Sequence, residues 1–147
     1  MISRILRKPM KLMKYKVANI LGVEGIPSLS DEEKDLKFVM YSAHDTQIVN
    51  MMDFLQKDFP WTPYASTVIF ELKYSEKCLA AADGQDSMDC FGVSVSFNGT
   101  PQLLEGCSGD GFTLEGCSFN DFLTYIDDRW YSGPNADDLD AACANEP

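Results

Sequence analysis

The only histidine of the chain, His44, stands in Tyr41-Ser42-Ala43-His44-Asp45-Thr46, with a carboxyl directly after it. Imidazole can offer a charged N–H donor to an anion, and an aspartic acid can hand a proton to a leaving group. Hydrolysis of a phosphate ester uses both. An apolar run, Leu36-Lys37-Phe38-Val39-Met40-Tyr41, leads into the pair, and Ile48, Met51, Met52 and Leu55 follow it at helical spacing. This pattern predicts a strand over 36–42 and a helix over about 45–57. His44 and Asp45 then fall at a strand exit and a helix mouth, where α/β proteins bind ligands. Unpaired N–H groups and the positive end of the helix dipole suit a phosphate there. Read from the residues alone, the simplest role for Asp45 or Thr46 is helix N-cap, with His44 an ordinary strand-end residue.

The rest of the chain supplies elements to hold such a site. Val68, Phe70, Leu72 and Tyr74 alternate with Ile69, Glu71 and Lys73, and Phe91, Val93, Val95 and Phe97 alternate with Gly92, Ser94 and Ser96. Both are two-fold strand patterns. Asn98-Gly99 signals a tight turn, with 101–104 as a short return strand. Asn98-Gly99-Thr100 also fits the acceptor pattern for N-glycosylation. Ser118-Phe119-Asn120-Asp121 reads as a capped helix start, followed by Phe122, Leu123, Ile126 and Trp130 on the same face as Phe119. Met51 and Met52 read as core filler rather than metal or cofactor contacts. Trp61, in the turn-rich loop 58–63, reads as a rim residue. The organisation expected is a basic amphipathic helix at 1–21, a linker at 22–35, the main domain at 36–130 and an irregular acidic tail at 131–147.

At 147 residues and 45% hydrophobic, the chain is long enough for a real core. The formal charge of −11 is unevenly spread: six basic residues and no acidic ones lie in positions 1–20, leaving a strongly acidic body. An acidic body argues against a nucleic-acid partner. No run approaches the ~20 apolar residues of a membrane span. The basic segment, with Pro9 near its start, Met10, Met13, Val17, Ile20 and Leu21 at helical spacing and Gly22 after its end, reads first as a helix packed on the sheet. A mitochondrial-type targeting helix and a membrane-surface helix are its second and third readings. A secretory signal is poorly supported, because its apolar core would be very short. Of five cysteines, Cys78 and Cys90 flank a small-residue loop between the two strands, and Cys107 and Cys117 bracket a Gly-rich loop. Either pair can close its loop as a disulfide, or all five stay reduced in a cytosolic setting. No cysteine–histidine cluster suggests a metal, and no motif calls for a cofactor.

The segments around His44 resemble the histidine acid phosphatases, a branch of the histidine phosphatase superfamily, in the C-terminal portion of that family's domain. Phe38-Val39-Met40-Tyr41-Ser42-Ala43-His44-Asp45-Thr46 is similar to the family's second catalytic motif and its strand-to-helix setting. Pro63-Tyr64-Ala65-Ser66 with Ile69-Phe70-Glu71-Leu72, the Leu-Leu-x-Gly-Cys segment at 103–107 and the helix after Cys117 follow in the family's order. The resemblance implies an α/β, partial phosphoglycerate-mutase-like fold with about four strands and about three helices. It implies phosphomonoester hydrolysis through a phosphohistidine: His44 positioning the phosphoryl group, Thr46 contacting it, and Asp45 acting as general acid. It also implies a local Cys107–Cys117 disulfide, a more distant partner for Cys143, and a secretory, lysosomal or extracellular setting. Gln47 stands where the family commonly has a second threonine.

The family's nucleophile belongs to an Arg-His-Gly motif, and a chain whose single histidine is His44 has none. By itself, then, the chain is expected to be inactive, with a partner chain or a homodimer completing the fold. The strand at 36–42 would normally lie beside the nucleophile's strand and would otherwise leave an apolar edge exposed. The alternative is a non-catalytic phosphate-binding or interaction module, or a truncated, inactive product.

Overall fold

A computed structural model describes residues 2–23, 29–58, 61–82, 84–107, 116–133 and 135–144, the side chains of 84–86, 139, 142 and 143 aside. Helices combine with an antiparallel sheet, consistent with an α/β class. The chain divides into two compact units, 42–128 and 1–41 with 129–147.

Within 42–128, the two alternating segments are the strands β1 (Val68–Tyr74) and β2 (Phe91–Phe97). They pair antiparallel with Val68 opposite Phe97, Phe70 opposite Val95 and Leu72 opposite Val93. Because side chains alternate faces, this register puts every apolar pair on one side and Ile69/Ser96 and Glu71/Ser94 on the other. The short strands β3 (Thr100–Pro101) and β4 (Cys117–Ser118) both pair with β2, making it the central strand. Phe91, Val93 and Val95 are fully buried. Helix α5 (Phe119–Asp127) lies against β2 and buries Phe119, Phe122, Tyr125 and Ile126. Phe122 meets Phe70 with ring centroids 6.2 Å apart in a tilted arrangement that suits the ring quadrupoles. Ser118 caps α5, its hydroxyl accepting from the Asp121 N–H at 3.1 Å, as the sequence predicts. Leu123 and Trp130 stay half-exposed, and Tyr125 takes the inward position instead.

Between β1 and β2 the chain forms a helix, α4 (Glu76–Ala81), and a 3₁₀ segment, Gly84–Cys90. Disulfides Cys78–Cys90 and Cys107–Cys117 close the two loops, with Cα separations of 5.4 and 4.9 Å. The side chain of Cys143 and the loop 108–115 lie outside the described residues.

In the other unit, α1 runs Ile2–Leu21. It starts about two turns before Pro9, so Pro9 is internal and withholds one N–H from the helix ladder. The buried face follows from that earlier start: Ile2, Leu6, Met10 and Val17 are buried, whereas Ile20, expected on the inner face, is exposed. A short helix, α2 (Asp31–Lys34), occupies the expected linker and packs on α1. It has a complete capping box: the Ser30 hydroxyl accepts from the Glu33 N–H, and the Glu33 carboxylate accepts from the Ser30 N–H. Lys8 pairs with Glu33 at 3.2 Å, and Arg4 pairs with Asp140 at 2.8 Å on α6 (Leu139–Ala144). The acidic tail therefore contains a helix where irregular chain was expected. Two basic residues of α1 thus find acidic partners within their own unit. No helix among the described residues is long and apolar enough to cross a membrane.

Candidate active site

Residues 36–44 form no strand, contrary to the strand over 36–42 expected from the apolar run. The reason is pairing. A strand persists only as part of a ladder, and no described segment hydrogen-bonds alongside 37–43. The apolar side chains are accordingly uncovered: Phe38 is 74% and Met40 78% exposed, with Leu36 and Tyr41 exposed as well.

Helix α3 (Asp45–Phe54) follows directly. Its N-cap is His44, not Asp45 or Thr46: His44 has extended backbone angles (φ −78°, ψ 162°), and its carbonyl accepts from the Gln47 N–H at 3.0 Å. The Gln47 side chain returns the contact, its Oε1 accepting from the His44 N–H at 2.8 Å. This is the reciprocal half of a capping box, and it gives Gln47 a role that its position alone did not reveal. The His44 side chain and the Gln47 backbone complete the capping-box arrangement without a side-chain cap hydrogen bond, and the residue is exposed to solvent. Asp45 occupies the first helical position, where a carboxylate complements the helix dipole. Its Oδ1 accepts from the Thr46 N–H at 2.8 Å.

His44, Asp45 and Thr46 are all exposed. The structure therefore brings the three sequence-selected residues together on one open helix terminus, with no wall of buried groups around them. The Asp45 carboxylate already occupies one of the N–H groups that an anion would use. An incoming phosphate would share the terminus through the Asp45 N–H and the His44 ring, and protonation of Asp45 would remove the like charge beside it. Chemically, the arrangement can bind and orient an anion and offer one carboxyl for proton transfer. It holds a single histidine, His44, and no second one beside it.

The helix is anchored from behind. Met51, Met52 and Leu55 are buried, and α3 ends in a Schellman motif: the Lys57 N–H donates to the Met52 carbonyl at 2.9 Å, and the Gln56 N–H to the Asp53 carbonyl at 2.8 Å. Gln56 adopts the left-handed conformation (φ 49°) this requires, which stops the helix three residues short of the expected end. The Tyr125 hydroxyl donates to the Leu55 carbonyl at 2.6 Å in a buried setting, tying α3 to α5. Trp61 is 73% exposed in the loop after α3. No family model, curated protein or solved structure matches the chain.

Proposed function

We propose that the chain contributes the His-Asp half of a phosphomonoesterase centre, with His44 positioning the phosphoryl group, Thr46 beside it and Asp45 protonating the departing alcohol. One observation carries the reading: a solvent-exposed histidine is the N-cap of a ten-residue helix whose first residue is an exposed aspartic acid. The N–H groups and dipole of that terminus favour a phosphate, and the neighbouring acid is in reach of its ester oxygen. The phosphohistidine step needs a second histidine, which another chain would have to bring. The uncovered segment 36–41 gives that chain an apolar, hydrogen-bond-hungry stretch to pair with, immediately before the site. A non-catalytic phosphate-binding module is the second reading, favoured by the Asp45 carboxylate being engaged with the Thr46 N–H rather than free.

Hydrolysis of an aryl phosphate at acidic pH, about 5, by the purified chain and by His44→Ala tests this. The expected result is no turnover from either alone, with turnover appearing when a chain bearing an Arg-His-Gly motif is added to the unaltered protein only. His44-dependent turnover by the chain alone would overturn the half-site, and no turnover with the added chain would leave the binding module as the reading.

A further inference from the structure

We infer that Asn98 is an acceptor for an N-linked glycan, built into the tip of the β2–β3 hairpin and independent of the phosphate chemistry. Asn98-Gly99-Thr100 has the required hydroxyl two residues after the amide, and no proline between. The structure adds what the pattern cannot supply. Phe97 and Thr100 pair across the hairpin, so Asn98 and Gly99 are its two turn residues, both in the left-handed region (φ 49° and 76°). All three acceptor residues are exposed, and a Cβ placed on Gly99 would meet nothing within 4 Å. The turn is exposed along all three residues, with open space beside Gly99.

The hydrogen bonding of the amide is compatible with modification. Asn98 Oδ1 accepts from the Thr67 N–H at 2.8 Å, and Nδ2 donates to the Ser66 hydroxyl at 3.3 Å. Nδ2 carries two hydrogens, and Ser66 uses one. Replacing the other with a sugar carbon keeps both contacts, so the glycosylated residue holds the same turn. In the transfer, Nδ2 bonds to C1 of an acetamido sugar on a lipid diphosphate. The C1–oxygen bond to the diphosphate breaks, the lipid diphosphate leaves with that electron pair, and a base of the transferase takes the Nδ2 proton. The compartment where such donors act is also oxidising, and the chain's two disulfides, Cys78–Cys90 and Cys107–Cys117, fit that setting.

The test is translation of the full chain, behind a cleavable secretory leader, into transferase-containing microsomes. A flexible C-terminal peptide carrying its own acceptor tripeptide reports entry. The expected outcome is modification at both places in the unaltered chain and in Thr100→Ser. Thr100→Ala, which leaves the Asn98 contacts in place, and Asn98→Gln should be modified at the tag only. Enzymatic deglycosylation should leave aspartate at position 98 by mass spectrometry. An unaltered chain modified at the tag but not at Asn98 would overturn the inference.

Discussion

The β1–β2–α5 core and the 36–44 segment contain residues of similar type yet differ in almost every physical respect. Both carry strand-forming apolar side chains, alternating in the core strands and nearly continuous over 36–41. In the core, each β1 residue has a cross-strand partner on β2, α5 packs against β2, and Phe91, Phe119 and Phe122 are fully buried. In the segment there is neither ladder nor cover, and Phe38 and Met40 point their bulk at solvent. A strand-like apolar stretch is thus a request for pairing, which is met in one place and unmet among the described residues in the other. The candidate site lies directly after the place where it is unmet.

Phe122→Ala should break the core most severely, costing about 4 kcal/mol by lost transfer energy and an unfilled cavity. Phe38→Ala, the same change in the uncovered segment, should alter stability by less than ~0.5 kcal/mol. Paired chemical denaturations measure both, and equal losses would mean that 36–44 is covered in solution. Tyr125→Phe comes next: stranding the Leu55 carbonyl should cost about 1–2 kcal/mol, seen as faster amide exchange at the C-terminal end of α3. Gln47→Ala should act at the other end of that helix and be smaller, about 0.5 kcal/mol, with exchange rising in its first turn alone.

The smallest effect concerns α2, where the comparison moves to the other unit. Hydrogen bonding from Lys34 holds the Asp31 carboxyl below the usual range; the Ser30 N–H, then Lys8, does the same for Glu33. Groups with depressed folded values stabilise above the ordinary carboxylate range and lose that contribution as pH falls through the depressed values. Asp31 is exposed and Glu33 partly so, and solvent screens both, so only a local loosening is expected. Amide exchange at Glu33 and Lys34, corrected for intrinsic rates, should be less protected at pH about 3 than at about 6. Greater protection at the lower pH would contradict the assignment.

The parts of the fold legible in the sequence were those whose causes are local and whose partners are near. Strands β1 and β2, the Asn98-Gly99 turn, the Ser118 cap and the Cys78–Cys90 closure all have both partners within a short stretch of chain. Helix α3 was legible from Met51, Met52 and Leu55, but its end was not, because Gln56 gives no compositional hint of a left-handed residue. Helix α1 was legible over 1–21, but Pro9 was read as lying near its start, whereas Ile2 and Leu6 continue the same face upstream. Helices α2 and α4 are too short to show periodicity, and only their Ser30 and Ser75 caps announced them. At the candidate site, His44, Asp45 and Thr46 were legible as chemistry, whereas the cap exchange between His44 and Gln47 was not. A glutamine contacting a backbone N–H three residues earlier leaves no trace except its spacing.

Because His44 is the only histidine, its ring protons give signals that need no assignment, and their response to inorganic phosphate tests the central claim directly. At pH about 5, a saturable shift with added phosphate is expected that is absent when chloride is added at matched ionic strength. Ring signals that respond identically to both salts, or to neither, would contradict a phosphate site at the head of α3.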